Sequence, residues 1–151
     1  MQAKFLVVVG CTKEKLDCIK FKKAREIMDF VKANSHKYQS VISILRKKMD
    51  GDTNFRKAGD TVATDTMDFL SYQSDTVIDV PGYDVDCTHF RRDAHYDIVG
   101  VSTAASVLCI ALSMYSCGLD ISVLKDYCAD RKGLDKEAYA IMKEYMPGVL
   151  K

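Results

Sequence analysis

Apolar residues in this chain gather in short runs that are nearly all apolar, separated by stretches that are apolar along one side only. The runs fall at 4–9, 40–45, 75–80, 97–101 and 120–124. A run that is nearly all apolar, rather than apolar at every second position, suits a parallel strand covered on both faces. Helical spacing lies between most of them. Residues 21–37 put Ala24, Ile27, Met28 and Val31 on one side and lysines elsewhere, and a last helix over 134–146 stops at Pro147-Gly148. Strand and helix alternate, and right-handed crossovers then predict an α/β three-layer sandwich, a mainly parallel Rossmann-like sheet flanked by helices. The chain reads as a single domain over 1–151, with residues 46–65 turning polar as an excursion across the sheet edge.

The segment 97–130 carries the most information. Ile98, Val99 and Val101 form a strand, Ser102 or Thr103 is placed to cap a helix, and the helix stripe is Val107, Leu108, Ala111, Leu112 and Met114, ending at Gly118. Ser106 then sits in the first turn, where backbone N–H groups favour negative charge. In open α/β sheets ligands bind outside the carboxyl ends of the strands. Those ends are Gly10-Cys11-Thr12, Arg46-Lys47-Lys48, Pro81-Gly82-Tyr83 and Val101-Ser102-Thr103.

Composition narrows the partners. A net charge of +1, from 22 basic and 21 acidic residues, gives no general electrostatic attraction to nucleic acid or an anionic membrane. A small polar molecule or a protein is the expected partner. The apolar run at 5–9 is too short for a signal peptide or a membrane span, which places the protein in the cytoplasm. The six cysteines form no CxxC pair, and in that compartment they are expected to be reduced, packed thiols. No cofactor is called for. His36, His89 and His95 are scattered, and His89 and His95 could share a helix only at a spacing of six, so no metal site is expected.

Taken together, FLVVVG near the start, the GVSTAASVL turn, the ISVLKDYCAD strand and the closing KEAYAIMKEYMPGVL resemble the isochorismatase-like cysteine hydrolases, a group that includes nicotinamidases. The resemblance covers the first strand, the middle strand and residues 97–150, and it is poor over 47–70. It implies hydrolysis of amides or vinyl ethers by an aspartate after the first strand, a lysine after the third and a cysteine at the helix start. Matched to those positions, this chain has Gly10, Val80 and Ser106. Losing one member of such a cooperating set typically costs roughly 10⁴ to 10⁶ in turnover. The resemblance further implies a non-proline cis peptide at Val101-Ser102, a metal site that Arg46-Lys47-Lys48 would repel, and assembly into dimers or larger homo-oligomers.

Three readings follow. In the first, a catalytically degenerate protein binds a small polar ligand or a protein partner at the former site through Gly10, Val80, Tyr83, Ser102 and Thr103. In the second, an unusual amide or ester hydrolase attacks with Cys11 or Ser106. In the third, the chain is a non-catalytic structural subunit of an oligomer. Lys13, Lys15 and Asp17 read as a solvated loop, and Asp79 points away from whatever Val80 faces. His89, Arg91, Arg92 and His95 read as a basic cluster at a helix end. Tyr83, Tyr96, Tyr115 and Tyr127 are candidate pocket walls, and Asn54-Phe55-Arg56 a candidate contact loop.

Overall fold

A computed structural model describes residues 2–46, 75–80 and 84–151. Among these residues five strands run β1 (Ala3–Val9), β2 (Ser40–Arg46), β3 (Thr76–Val80), β4 (Ala94–Val101) and β5 (Asp120–Ala129). They form one sheet in the order β3-β2-β1-β4-β5, every pair parallel. Helix α1 (Lys13–Leu16) and helix α2 (Phe21–Asn34) follow β1, α3 (Leu108–Ser116) follows β4, and α4 (Asp135–Tyr145) follows β5. The polar excursion, the segment 47–48, Asn54-Phe55-Arg56 and Pro81-Gly82-Tyr83 lie outside the described residues.

Parallel pairing forces helical crossovers, and the faces they cover can be read from the strand side chains. Phe5, Val7 and Val9 of β1 join Ile42, Ile44, Tyr96 and Ile98 in a core closed by Val107, Ile110, Ala111 and Met114, with Met142 of α4 and the following Met146. Leu6 and Val8 point the other way, against Ala24, Ile27 and Val31 of α2. Each fully buried aliphatic side chain contributes about 1.5–3 kcal/mol. The two crossovers leaving β1 and β4 thus pack on opposite faces, so the chain reverses its winding between these neighbouring strands. Such a reversal opens a crevice at the carboxyl ends, here between Gly10 and Ser102.

Several boundaries differ from the sequence expectation. β4 begins at Ala94 rather than residue 97, because Ala94 and Tyr96 are buried while His95 and Asp97 are only half-buried, a two-residue period in place of an apolar run. The Tyr96 hydroxyl is held by the Arg91 backbone, accepting from its N–H at 2.6 Å and donating to its carbonyl at 3.1 Å. β5 extends to Ala129, leaving the β4 register between Val123 and Cys128. The Lys23 ammonium donates to the carbonyl of Asp126 there, and the Tyr139 hydroxyl to that of Lys125. The first long helix stops at Asn34 and a 3₁₀ turn completes the span to Lys37.

His89 and His95 share no helix: His89 ends the 3₁₀ turn Cys87–His89 and His95 lies in β4. Nor is there one basic cluster. Arg91 pairs with Asp93 at 2.7 Å, Arg92 donates to the carbonyl of Cys117, and His95 bridges Asp97 and Asp120 at 3.0 Å each. That bridge sits at the amino end of the sheet, away from Gly10.

The expectation of reduced thiols fails at one pair. Cys87 and Cys117 form a disulfide with Cα atoms 6.5 Å apart, joining residues separated by 30 positions. A scan for CxxC sees only local pairs, whereas this one is made by the 3₁₀ turn meeting the C-cap of α3. Closing a loop of that length contributes about 3–4 kcal/mol in the chain-entropy model. Among the described residues no helix is long and apolar enough to cross a membrane.

Candidate functional site

β1 ends at Val9, and Gly10 turns the chain with φ at +62° while its N–H donates to the carbonyl of Ile44 at 2.8 Å. The turn is crowded. A β-carbon on Gly10 would lie 2.2 Å from the carbonyl oxygen of Val101 and 3.1 Å from Nζ of Lys15. Thr12 then caps α1, its hydroxyl accepting from the N–H of Lys15 at 3.2 Å. This short helix folds the Lys15 side chain back over Gly10, so Lys15 belongs to the site rather than to a solvated loop. Lys13 and Asp17, from the same helix and its cap, are exposed.

Cys11 is 2% exposed. Burial pushes its thiol up to about 12, only partly opposed by the nearby positive charge of Lys15 and a hydrogen bond from the Val101 backbone. Its Sγ leans on the carbonyl of Val9 at 3.7 Å. A thiol in this setting is neutral at physiological pH and a poor nucleophile.

On the other side of the crevice β4 ends at Val101, and the Val101-Ser102 peptide is cis. A single π turn, Thr103–Val107, leads into α3. Neither Ser102 nor Thr103 caps this turn with its side chain. Asp130 does, one Oδ accepting from the N–H of Ala104 at 3.0 Å and the other from Lys132 and Leu134 at 3.0 Å each. The Thr103 hydroxyl is fully buried and donates to Asp135 at 2.6 Å. Burial also raises the neighbouring Tyr139, with the Cys128 and Asp135 charges adding to it and a hydrogen bond with Thr103 opposing. Ser102 is half-buried. Ser106 is 7% exposed, and among the described residues its hydroxyl makes no hydrogen bond.

Val80 is 4% exposed within the main core, and Asp79 beside it faces solvent, as alternation requires. Tyr83 lies outside the described residues. Tyr96 stacks on Phe5 in the core, the half-buried Tyr127 stacks on Phe30 at 4.0 Å, and Tyr115 stays exposed on α3. A cleft of about 900 Å³ lies elsewhere, along α3, between Asp84, Arg92, Cys109, Ser113 and the disulfide. A smaller one of about 400 Å³ lies beside Lys23, Lys125, Cys128, Asp130 and Tyr139. Among the described residues no three His, Cys, Asp or Glu side chains gather to hold a metal ion.

No protein-family profile matches the chain, and no curated protein matches it. Solved structures do. The pyrazinamidase/nicotinamidase from Streptococcus mutans superposes with a TM-score of 0.76 at 15% identity, over 99% of this chain and 100% of that one. The nicotinamidase from Staphylococcus aureus gives 0.67 at 24% identity, over 100% of this chain and 98% of that one. An isochorismatase-like hydrolase from Alkaliphilus metalliredigens gives 0.72 at 11% identity, over 95% and 91%. The chain has the isochorismatase-like fold. On that fold Gly10, Cys11 and Lys15 come from the end of β1, and Ser102, Thr103 and Ser106 from the end of β4, facing each other across the winding reversal. The sequence reading missed Asp130, whose only signal was its place directly after the last apolar pair of β5; Lys15, which it placed in a solvated loop, instead lies over Gly10.

Proposed function

We propose that this protein is a catalytically degenerate relative of the isochorismatase-like hydrolases that binds a small polar ligand, or a protein partner, at the former active site. The observation that carries the reading is Gly10. The position that the resemblance assigns to the general base is a glycine with positive φ, whose missing side chain has no room beside the Val101 carbonyl. Two further features support it. Val80, at the position matched to the lysine, is an apolar core residue, and Cys11, the nearest substitute nucleophile, is held neutral by burial. Ser106 keeps a buried hydroxyl available to a ligand but no base hydrogen-bonded to it among the described residues.

A thermal-shift screen of pyridine carboxamides, nucleotides and small carboxylates tests this reading. A ligand at about 100 times its Kd stabilises the fold by about 2.7 kcal/mol. The expected result is such a stabiliser whose effect Ser106→Phe erases; a hit that survives that substitution places binding elsewhere. The alternative, an unusual amide or ester hydrolase using Cys11 or Ser106, draws support from the names of the structural neighbours and from the unpartnered Ser106 hydroxyl. An activated thiol or hydroxyl needs a proton acceptor, and among the described residues the two carboxylates bonded to the helix start are engaged there, Asp130 with three backbone N–H groups and Asp135 with Thr103.

A further inference from the structure

We infer that the cleft along α3 takes a small α-amino acid with an apolar side chain, its ammonium on Asp84 and its carboxylate on Arg92; this site is separate from the crevice at Ser106 and does not rest on the reading above. At about 900 Å³ the cleft has the size of a small-molecule site. α3 carries no charged residue, so every charge lining the cleft comes from the segment 84–92. Two of these charges have opposite sign and are held apart. One oxygen of Asp84 accepts from the N–H of Val85 at 3.0 Å and from the Ser113 hydroxyl. Arg92 donates from Nη1 to the Cys117 carbonyl at 2.9 Å. Among the described residues no ion pair joins the two.

Their tethers on α3, Ser113 and Cys117, lie one helical turn apart, a rise of about 5.4 Å. That spacing suits a ligand that bears both charges on a single carbon. The Cys87–Cys117 disulfide ties the segment to the end of α3, so the two anchors are in place before a ligand arrives. No other lining group competes for the role. Asp86, the second acid, caps its own 3₁₀ turn, accepting from the N–H of Thr88 at 3.0 Å and from its hydroxyl at 2.9 Å. Burial and the Asp84 charge both push the Cys109 thiol up, so it adds no charge beside Asp84. The rest of the lining is largely apolar, and Leu112 is 41% exposed there, an apolar surface for the ligand's side chain to cover. A plain amine or a plain carboxylate meets one anchor and desolvates the other without a partner.

Binding calorimetry with two matched sets, phenylalanine with phenethylamine and hydrocinnamate, and leucine with isoamylamine and isocaproate, tests this on the full chain with its disulfide intact. At least one amino acid should bind roughly tenfold or more tightly than both of its single-charge analogues, as expected when each charge makes its own charge-assisted contact. That comparison uses the unmodified protein alone and does not depend on any variant folding. Asp84→Asn should then bring the amino acid down to the level of its carboxylate analogue, and Arg92→Gln to the level of its amine analogue. An analogue bound as tightly as its amino acid, an amino acid whose binding survives both substitutions, or no binding of either amino acid overturns the inference.

Discussion

Gly10→Asp, which puts back the carboxylate that the resemblance calls for, will destabilise the protein by about 3 kcal/mol or more and will not produce an amidase. Two costs add. A non-glycine residue in the left-handed region costs roughly 1–2 kcal/mol. The larger one is steric: the new β-carbon would stand 2.2 Å from the Val101 carbonyl oxygen, a backbone atom that cannot rotate away, so β1 and β4 must separate at the crevice. Gly133 isolates the second cost. It shares the conformation, with φ at +73°, but has nothing within 4 Å of its β-position. Gly133→Asp should therefore show the conformational penalty alone. Urea unfolding of both variants checks the difference; equal losses would mean that Val101 does not exclude a side chain at position 10.

The second large effect is on thiol reactivity. With Cys11 and Cys128 both pushed by burial to about 12, their thiolate fraction at pH 7 is smaller than that of an ordinary cysteine by about 10³. Exposed Cys18 should label readily with iodoacetamide, and Cys11 and Cys128 at least about 10³ times more slowly than a free cysteine, at a rate set by unfolding. Peptide mapping of the labelled sites gives the ratio. The same shifts fix the alkaline behaviour. Both thiols are harder to ionise in the folded chain than in the unfolded one, so their contribution is complete below pH 9.0 and is lost as pH rises from there towards about 12. Each costs about 1.4 kcal/mol per pH unit across that window. Rapid labelling of Cys11 at pH 7 would show an activated thiolate instead.

The sheet was legible because strands covered on both faces leave runs that are nearly all apolar, and each of the five described strands contains one, although the edge strand β3 keeps Asp79 exposed. Their ends were less so. Ala94, His95, Tyr96 and Asp97 alternate, and the 124–127 stretch of β5 carries Lys125 and Asp126 across a break in register, so neither stretch carries the signal of a continuous run. At the site, the backbone was readable and the side-chain partnerships were not. Position alone put Gly10, Cys11, Ser102, Thr103 and Ser106 at strand ends. No local pattern reveals that Asp130 reaches Ala104 across 26 positions, that Cys87 meets Cys117 across 30, or that α1 turns Lys15 inwards. Those contacts exist only once the crossovers have brought distant loops together, and they decide the chemistry.

Release of ammonia from nicotinamide and simple amides by the purified full chain, followed over hours at pH 7, is the most direct check on whether a hydrolase scaffold has here lost its reactive groups. No release above the buffer blank is expected, for the unmodified protein and for Cys11→Ala and Ser106→Ala alike. Turnover that either substitution abolishes would show that this crevice still performs hydrolysis.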